Sequence, residues 1–216
     1  MEFFTYVAEN LGYMGIKALE HLYLFATSWA IAIVVGMAIG IYVTRPGREK
    51  SGRIALSITG IAQAVPSIAV IAIVFLFMGI GPAPAIFALF LYSIVPITFN
   101  TASGLFGIDK SMIEAARGMG MTNRQILWQV EIPNALPTIF SGIRNAAIIN
   151  LGTATIASAI GAGGLGELIF IGLGTFKFEM ILAGAIPVSI MAVLIDFALS
   201  IIQNKMTSEG IKLQNE

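Results

Sequence analysis

DKSMIEAARGMGMTNRQILWQVEIP, residues 109–133, is a polar stretch set between two strongly apolar segments, Ala85 to Leu105 and Leu136 to Ile160. A polar loop of this length between two runs that suit a bilayer implies a membrane protein with a task on its aqueous side. The stretch reads as two short helices broken at Gly118 and Gly120. Asp109 is the expected N-cap of the first, with Met112, Ile113 and Ala116 on its apolar side. Thr122 and Gln125 have the spacing of a capping box, and Met121 and Ile126 fall at hydrophobic-staple positions, so the second helix should start with defined geometry. That helix would present Ile126, Leu127 and Val130 on one face and stop at Pro133. Gly120 would let the chain turn where a side chain would obstruct. Ala115 and Ala116 are small enough to admit another protein's surface, and Glu114 offers a carboxylate to a basic partner.

Outward from this loop the chain is apolar. Of 216 residues 57% are hydrophobic and only 11% charged, where soluble domains carry about a quarter charged residues. The expected class is therefore an all-α polytopic membrane protein. Five segments reach the roughly 20 residues needed to cross a bilayer: Leu22 to Val43, Ile54 to Met78, Ala85 to Leu105, Leu136 to Ile160 and Met180 to Ile202. The fourth holds Arg144, Asn145 and Asn150 and would score poorly on hydropathy alone. It is accepted because span count and charge distribution then agree. Phe3, Val7, Leu11 and Met14 recur at helical spacing, so residues 1–18 read as an external interfacial helix or, for the first few, as a frayed tail. No basic leader precedes an apolar run, and no cleaved signal peptide is expected. The domain division is thus 1–18, a transmembrane unit 19–205, and a tail 206–216.

Lysine and arginine set the orientation. With the N-terminus outside, the cytoplasmic regions hold nine basic residues (Arg45, Arg48, Lys50, Arg53, Lys110, Arg117, Arg124, Lys205 and Lys212) and the external regions two, Lys17 and Lys177. This bias puts residues 109–133 and the C-terminus in the cytoplasm, in a multi-pass protein of a cell membrane. Zero formal net charge gives no field for nucleic acid. The chain has no cysteine and a lone histidine, His21, which leaves no metal cluster and no expected cofactor.

Within the spans, Pro66, Pro96 and Pro187 each remove a backbone donor, so these helices either bend around a path or carry packing kinks. Gly36-x-x-x-Gly40 permits close helix approach, for tight packing rather than a specific dimer. Arg144 and Asp196 lie at matching depth and read as an ion pair, against an Arg144 that faces the pathway or reaches the cytoplasmic boundary. Gln63, Asn100 and Asn150 are either pathway groups or interhelical hydrogen bonds. Phe75, Tyr92 and Phe99 could meet a quaternary ammonium through their ring faces. Gly161, Gly163, Gly164 and Gly166 fit G-x-G-x-x-G, but no strand pattern precedes them, so a flexible, re-entrant external segment near a gate or docking surface is expected rather than a dinucleotide site.

Glu114-Ala115-Ala116, three residues, Gly120, nine residues, Val130, one residue, then Ile132-Pro133 resembles the EAA loop of bacterial ABC-importer permeases, with Val130 for the pattern's Ile and Ile132 for its Leu. Three further stretches resemble the osmoprotectant branch of that family: Gln63 to Ser67, Ile132 to Pro137 leading to Gly142-Ile143-Arg144, and Ile160 to Ile169. The likeness covers residues 18–205. It implies a five-span type I importer permease whose loop is a coupling helix docked to cytoplasmic ABC ATPase subunits. It further implies a second permease subunit, identical or paralogous, and an external solute-binding protein. The cargo it implies is glycine betaine, carnitine or choline, with methionine or another small amino acid as the alternative. With no Walker A sequence the chain would not hydrolyse ATP itself. A secondary transporter is the rival of a different class, disfavoured by five spans and one intramembrane acid.

Overall fold

In a computed structural model of the chain, which describes residues 2–206, every regular element is helical. The order is α1 (Glu2–Val43), α2 (Glu49–Ala62), α3 (Ser67–Met78), α4 (Pro82–Phe106), α5 (Lys110–Gly118), α6 (Asn123–Ile126), a π-turn (Leu127–Glu131), α7 (Ile132–Ala157), a 3-10 turn (Ser158–Ile160), α8 (Gly166–Thr175) and α9 (Phe178–Met206). The tail, with Lys212, lies outside the described residues apart from Met206.

α7 is the centre. Its buried residues, among them Ile132, Ala135, Ile139, Gly142, Ala146, Asn150 and Ala154, recur every three or four positions. Most are small, and small residues let neighbouring backbones approach closely where lipid supplies no hydrophobic drive between helices. α1, α4 and α9 pack around it, and α1 also packs on α4. Gly36 and Gly40 face α4 at contact distance: an added Cβ would lie 2.9 Å from Ile97 Cγ2 and 2.6 Å from Thr101 Cβ respectively. The small-residue spacing therefore serves packing within the chain.

The molecule has two ends. At one, Gly81 at the start of α4 donates its N–H to Ile160 O at 3.1 Å, beside the glycine-rich segment. At the other, α4 runs into the loop, and Gln203 near the end of α9 donates to Pro137 O at 3.2 Å. α1, the α2–α3 pair, α4, α7 and α9 each pass between these ends. By length and apolarity, three helices among the described residues can cross a membrane, Phe3–Val43, Pro82–Phe106 and Phe178–Met206, and the α2–α3 pair makes a fourth if counted as one span. α7 is not among them, in line with the expectation that Arg144, Asn145 and Asn150 would lower its hydropathy.

Expectations change for residues 1–18 and for Pro133, while the bend expected at Pro66 is present. Residues 1–18 do not form a separate helix: α1 runs on from Glu2, kinked at Asn10, whose φ is −116° and whose Nδ2 bonds to Tyr6 O at 2.9 Å. An asparagine that takes the i−4 carbonyl distorts a helix without ending it, and Lys17-Ala18-Leu19-Glu20 are strong helix formers that carry it into the span. The span expected over Ile54 to Met78 is bent by 96° between α2 and α3, since Pro66 bars Val65 from helical geometry and brings no donor. α4 and α9, by contrast, run unbroken through Pro96 and Pro187. Pro133 does not stop the second loop helix. The helix widens into the π-turn, where Ile132 N–H bonds to Leu127 O, and continues as α7. Widening relieves the clash between the proline ring and the preceding turn, and burial of Ile132 and Ala135 holds the helix to the core.

Candidate functional site

The loop caps itself. Asp109 Oδ1 accepts the Ser111 N–H at 2.9 Å, which holds its carboxyl below the usual carboxylate range. Thr122 and Gln125 exchange the two bonds of a capping box: Gln125 Oε1 accepts the Thr122 N–H at 2.9 Å, and Thr122 Oγ1 accepts the Gln125 N–H at 3.4 Å. Between the helices Gly120 has φ +78°, a conformation that a side chain disfavours. Ala116 and Ile126 are turned into the chain's own core, at 1% and 2% exposure, and Leu127 packs there as well. They anchor the loop and are not offered outward, which corrects the face expected for Ala116 and Ile126. Outward lie Glu114, Ala115, Gly120 and Pro133, with Val130 half-buried. Met119 and Trp128, which sequence reasoning passed over, are 75% and 59% exposed. Both are large apolar side chains left uncovered on a polar loop.

At the root of the loop, Arg45 Nη1 at the end of α1 binds Glu131 Oε2 at 2.6 Å. Nothing in a spacing rule connects residues so far apart in sequence.

In the body of the bundle, Asn150 is 1% exposed and its Nδ2 donates to Ser28 Oγ at 2.9 Å and Ser93 Oγ at 2.6 Å. It ties α7 to α1 and α4. Asn100, half-buried, donates to Pro96 O at 2.8 Å on its own helix. Gln63 and Pro66 are exposed at the α2–α3 bend. Phe75 is exposed, whereas Tyr92 and Phe99 are half-buried. Arg144 and Asp196 meet in a two-point ion pair, Nε to Oδ1 and Nη2 to Oδ2, the latter at 2.7 Å. This fork joins α7 to α9.

At the opposite end, Gly161, Gly163 and Gly164 all have positive φ, and the segment folds against α1. Glu20 accepts the Gly164 N–H at 2.9 Å, and Lys17 bridges Glu20 at 3.0 Å and Glu167 at 2.8 Å. Both precede the apolar run that begins at Leu22. Burial works against the Glu20 charge, but the Gly164 N–H and Lys17 outweigh it and hold its carboxyl below the usual range. Burial likewise opposes the Lys17 charge, and the two carboxylates outweigh it and raise its pKa. Gly166 packs so tightly on α7 that a Cβ there would lie 2.2 Å from Thr155 O. The segment is thus a braced turn into α8 with no strand before it, and its open side is a cleft of about 330 Å³ lined by Lys17, Glu20, Tyr23, Pro82 and Glu167. Among the described residues no cluster of His, Asp or Glu could hold a metal.

Comparison with known proteins follows the same lines. The family model described as binding-protein-dependent transport system inner membrane component matches residues 21–208. The carnitine transport permease protein OpuCB of Listeria monocytogenes is 41% identical over 212 residues, covering 98% of this chain and 96% of that one. The glycine betaine/carnitine/choline transport system permease protein OpuCB of Bacillus subtilis (strain 168) is 40% identical over 212 residues, 98% of this chain and 97% of that one. Among solved structures, a chain of the MetNI methionine ABC transporter in an inward-facing conformation aligns with a TM-score of 0.79 at 28% identity, covering 91% of this chain and 97% of that one.

Proposed function

Because the chain belongs to the family of binding-protein-dependent transport system inner membrane components, we propose that it is the permease of an ATP-driven importer of quaternary ammonium osmoprotectants such as glycine betaine, carnitine and choline. Relatives named for those solutes are about 40% identical over nearly the whole chain, while the methionine transporter is 28% identical, which favours osmoprotectants over the amino-acid alternative. A secondary transporter would need a free intramembrane acid for ion coupling, and Asp196 is engaged by Arg144.

The observation that carries the coupling is the loop: self-capped, anchored by Ala116 and Ile126, and presenting Glu114, Ala115 and Met119 outward. On this reading five passes cross the membrane, with the arginine-rich loop end in the cytoplasm and the glycine-rich end outside. ATP hydrolysis belongs to separate ATPase subunits that receive the loop. A second permease subunit completes the path, and an external binding protein delivers solute and sets most of its selectivity. When the ATPases close they displace the loop, and the paired permeases turn from inward-facing to outward-facing.

The test is a pair of loop variants, Glu114→Lys and Gly120→Trp, in the assembled transporter. Both should insert normally, and ATP-driven uptake should fall away. Normal uptake in both would take the loop out of the mechanism.

A further inference from the structure

α1 and α7 are joined by polar side chains at four depths. Deep in the bundle, His21 Nε2 lies 3.2 Å from Leu151 O, Ser28 Oγ accepts from Asn150 Nδ2 at 2.9 Å, and Trp29 Nε1 donates to Ile143 O at 3.0 Å. The fourth contact is the Arg45–Glu131 pair at the loop end. It differs from the others in position. Glu131 is the last residue of the π-turn through which α6 becomes α7, and Arg45 Nε also donates to Ile41 O at 3.0 Å, so one side chain clasps the last turn of α1 and the far side of the π-turn.

Any displacement of the loop enters α7 through that π-turn. A π-turn carries an extra residue and poorer hydrogen-bond geometry than the α-helix on either side, so an unbraced one would absorb displacement by re-winding. Asn134 Nδ2 donates to Val130 O at 2.7 Å, which supports one carbonyl of the turn but ties it only to α7 itself. The ion pair ties it to the end of a second long helix, and its side chains are 23% and 14% exposed, shielded enough to hold one geometry.

We propose that Arg45 and Glu131 are positioning residues for coupling: their ion pair braces the π-turn so that α1 and α7 move as one lever when the loop is displaced. The lever spans the bundle, since 26 residues of α7 reach about 39 Å. At its far end α1 holds the glycine-rich segment, through Glu20 to Gly164 and Lys17 to Glu167. Loop movement would reach the opposite mouth of the path through this double helix. The inference rests on the reading of the loop as the contact for an ATP-hydrolysing partner.

The experiment measures ATP hydrolysed per solute imported by the whole transporter in proteoliposomes, for wild type, Arg45→Gln, Glu131→Gln, Arg45→Lys, and the reversal Arg45→Glu with Glu131→Arg. Both glutamine variants should insert, co-purify with the ATPase and hydrolyse ATP, yet use several-fold more ATP per solute. Arg45→Lys, which keeps the charge pair, or the reversal should bring the ratio back toward wild type. A merely structural role would lower the amount of folded transporter and leave the ratio alone. A wild-type ratio in both glutamine variants overturns the brace, and so does a raised ratio that neither Arg45→Lys nor the reversal restores. A wild-type transporter with no ATP-driven uptake removes the functional reading and the brace with it.

Discussion

Asn150 shows how a single side chain can look functional in sequence and turn out to be joined to its neighbours. Its polar group in an apolar span admits a pathway role or an interhelical bond, and the structure buries it completely against Ser28 and Ser93. The two serines were invisible as partners because each is an ordinary residue in its own span. Arg144 and Asp196 were legible as a pair because matching depth in two helices and opposite charge are both readable from sequence. Charge reversal at either one, Arg144→Asp or Asp196→Arg, should lower the yield of folded permease from membranes, and the double reversal should recover it. Continued failure of the double reversal would mean that contact between the two is not what holds α7 to α9. The glycine-rich end offers a pH test. A carboxylate held below its ordinary range stabilises the fold above its unfolded pKa of about 4.3 and loses that contribution as pH falls through the lower folded value. A raised lysine stabilises below its unfolded pKa of about 10.4 and loses the contribution only as pH rises through the higher folded one. The Lys17–Glu20 contact on Gly164 should therefore be constant between about pH 5 and pH 10, with amide-exchange protection at Gly164, corrected for intrinsic rate, falling only below about pH 4. Loss of protection anywhere between about pH 5 and pH 10 would contradict this.

The elements differ in how far local pattern could reach them. The caps of α5 and α6 are rules of three or four residues, and the structure repeats them bond for bond. The π-turn and the unbroken run from α6 into α7 were not legible, because proline after a helix ordinarily ends it, and this one continues through a widened turn and the burial of Ile132 and Ala135 in the core. The α2–α3 break is the reverse case. Pro66 was seen, but the size of its bend depends on what surrounds it. α7 itself yields a sharp comparison. Gly142 sits where an added Cβ would be 2.5 Å from Asn100 Cβ and 2.9 Å from Pro96 O, while Gly152 on the same helix has open space. Gly142→Ala should destabilise by about 1–3 kcal/mol through overpacking of α4 on α7. Gly152→Ala should be neutral or stabilise by about 0.4–1 kcal/mol, since alanine restricts the unfolded chain. Thermal unfolding in detergent reads both. Equal effects at the two sites would mean that helix propensity, and not the α4–α7 contact, governs this helix.

At the scale of the molecule, the family and architecture stand on features legible in the sequence: the EAA-like loop, the glycine-rich turn and the arrangement of apolar segments. Hydropathy alone would have mistaken it. Among the described residues only three helices are long and apolar enough to cross a membrane by themselves, because the central helix carries Arg144, Asn145 and Asn150 and the α2–α3 pair is broken at Pro66. Much of α9 and of the α2–α3 pair faces away from the bundle, with Phe75, Phe77, Val193 and Phe197 exposed. In the proposed transporter, lipid and the second permease cover them. What the molecule moves is the central claim, and ATP-driven uptake of labelled glycine betaine, carnitine and choline into proteoliposomes holding the complete transporter tests it most directly. The account predicts uptake of at least one of these solutes that requires ATP inside the vesicle's ATPase-bearing face, persists in the presence of an ionophore, and is not competed by methionine. Uptake of methionine in their place, or uptake that an ionophore abolishes and ATP does not drive, would contradict it.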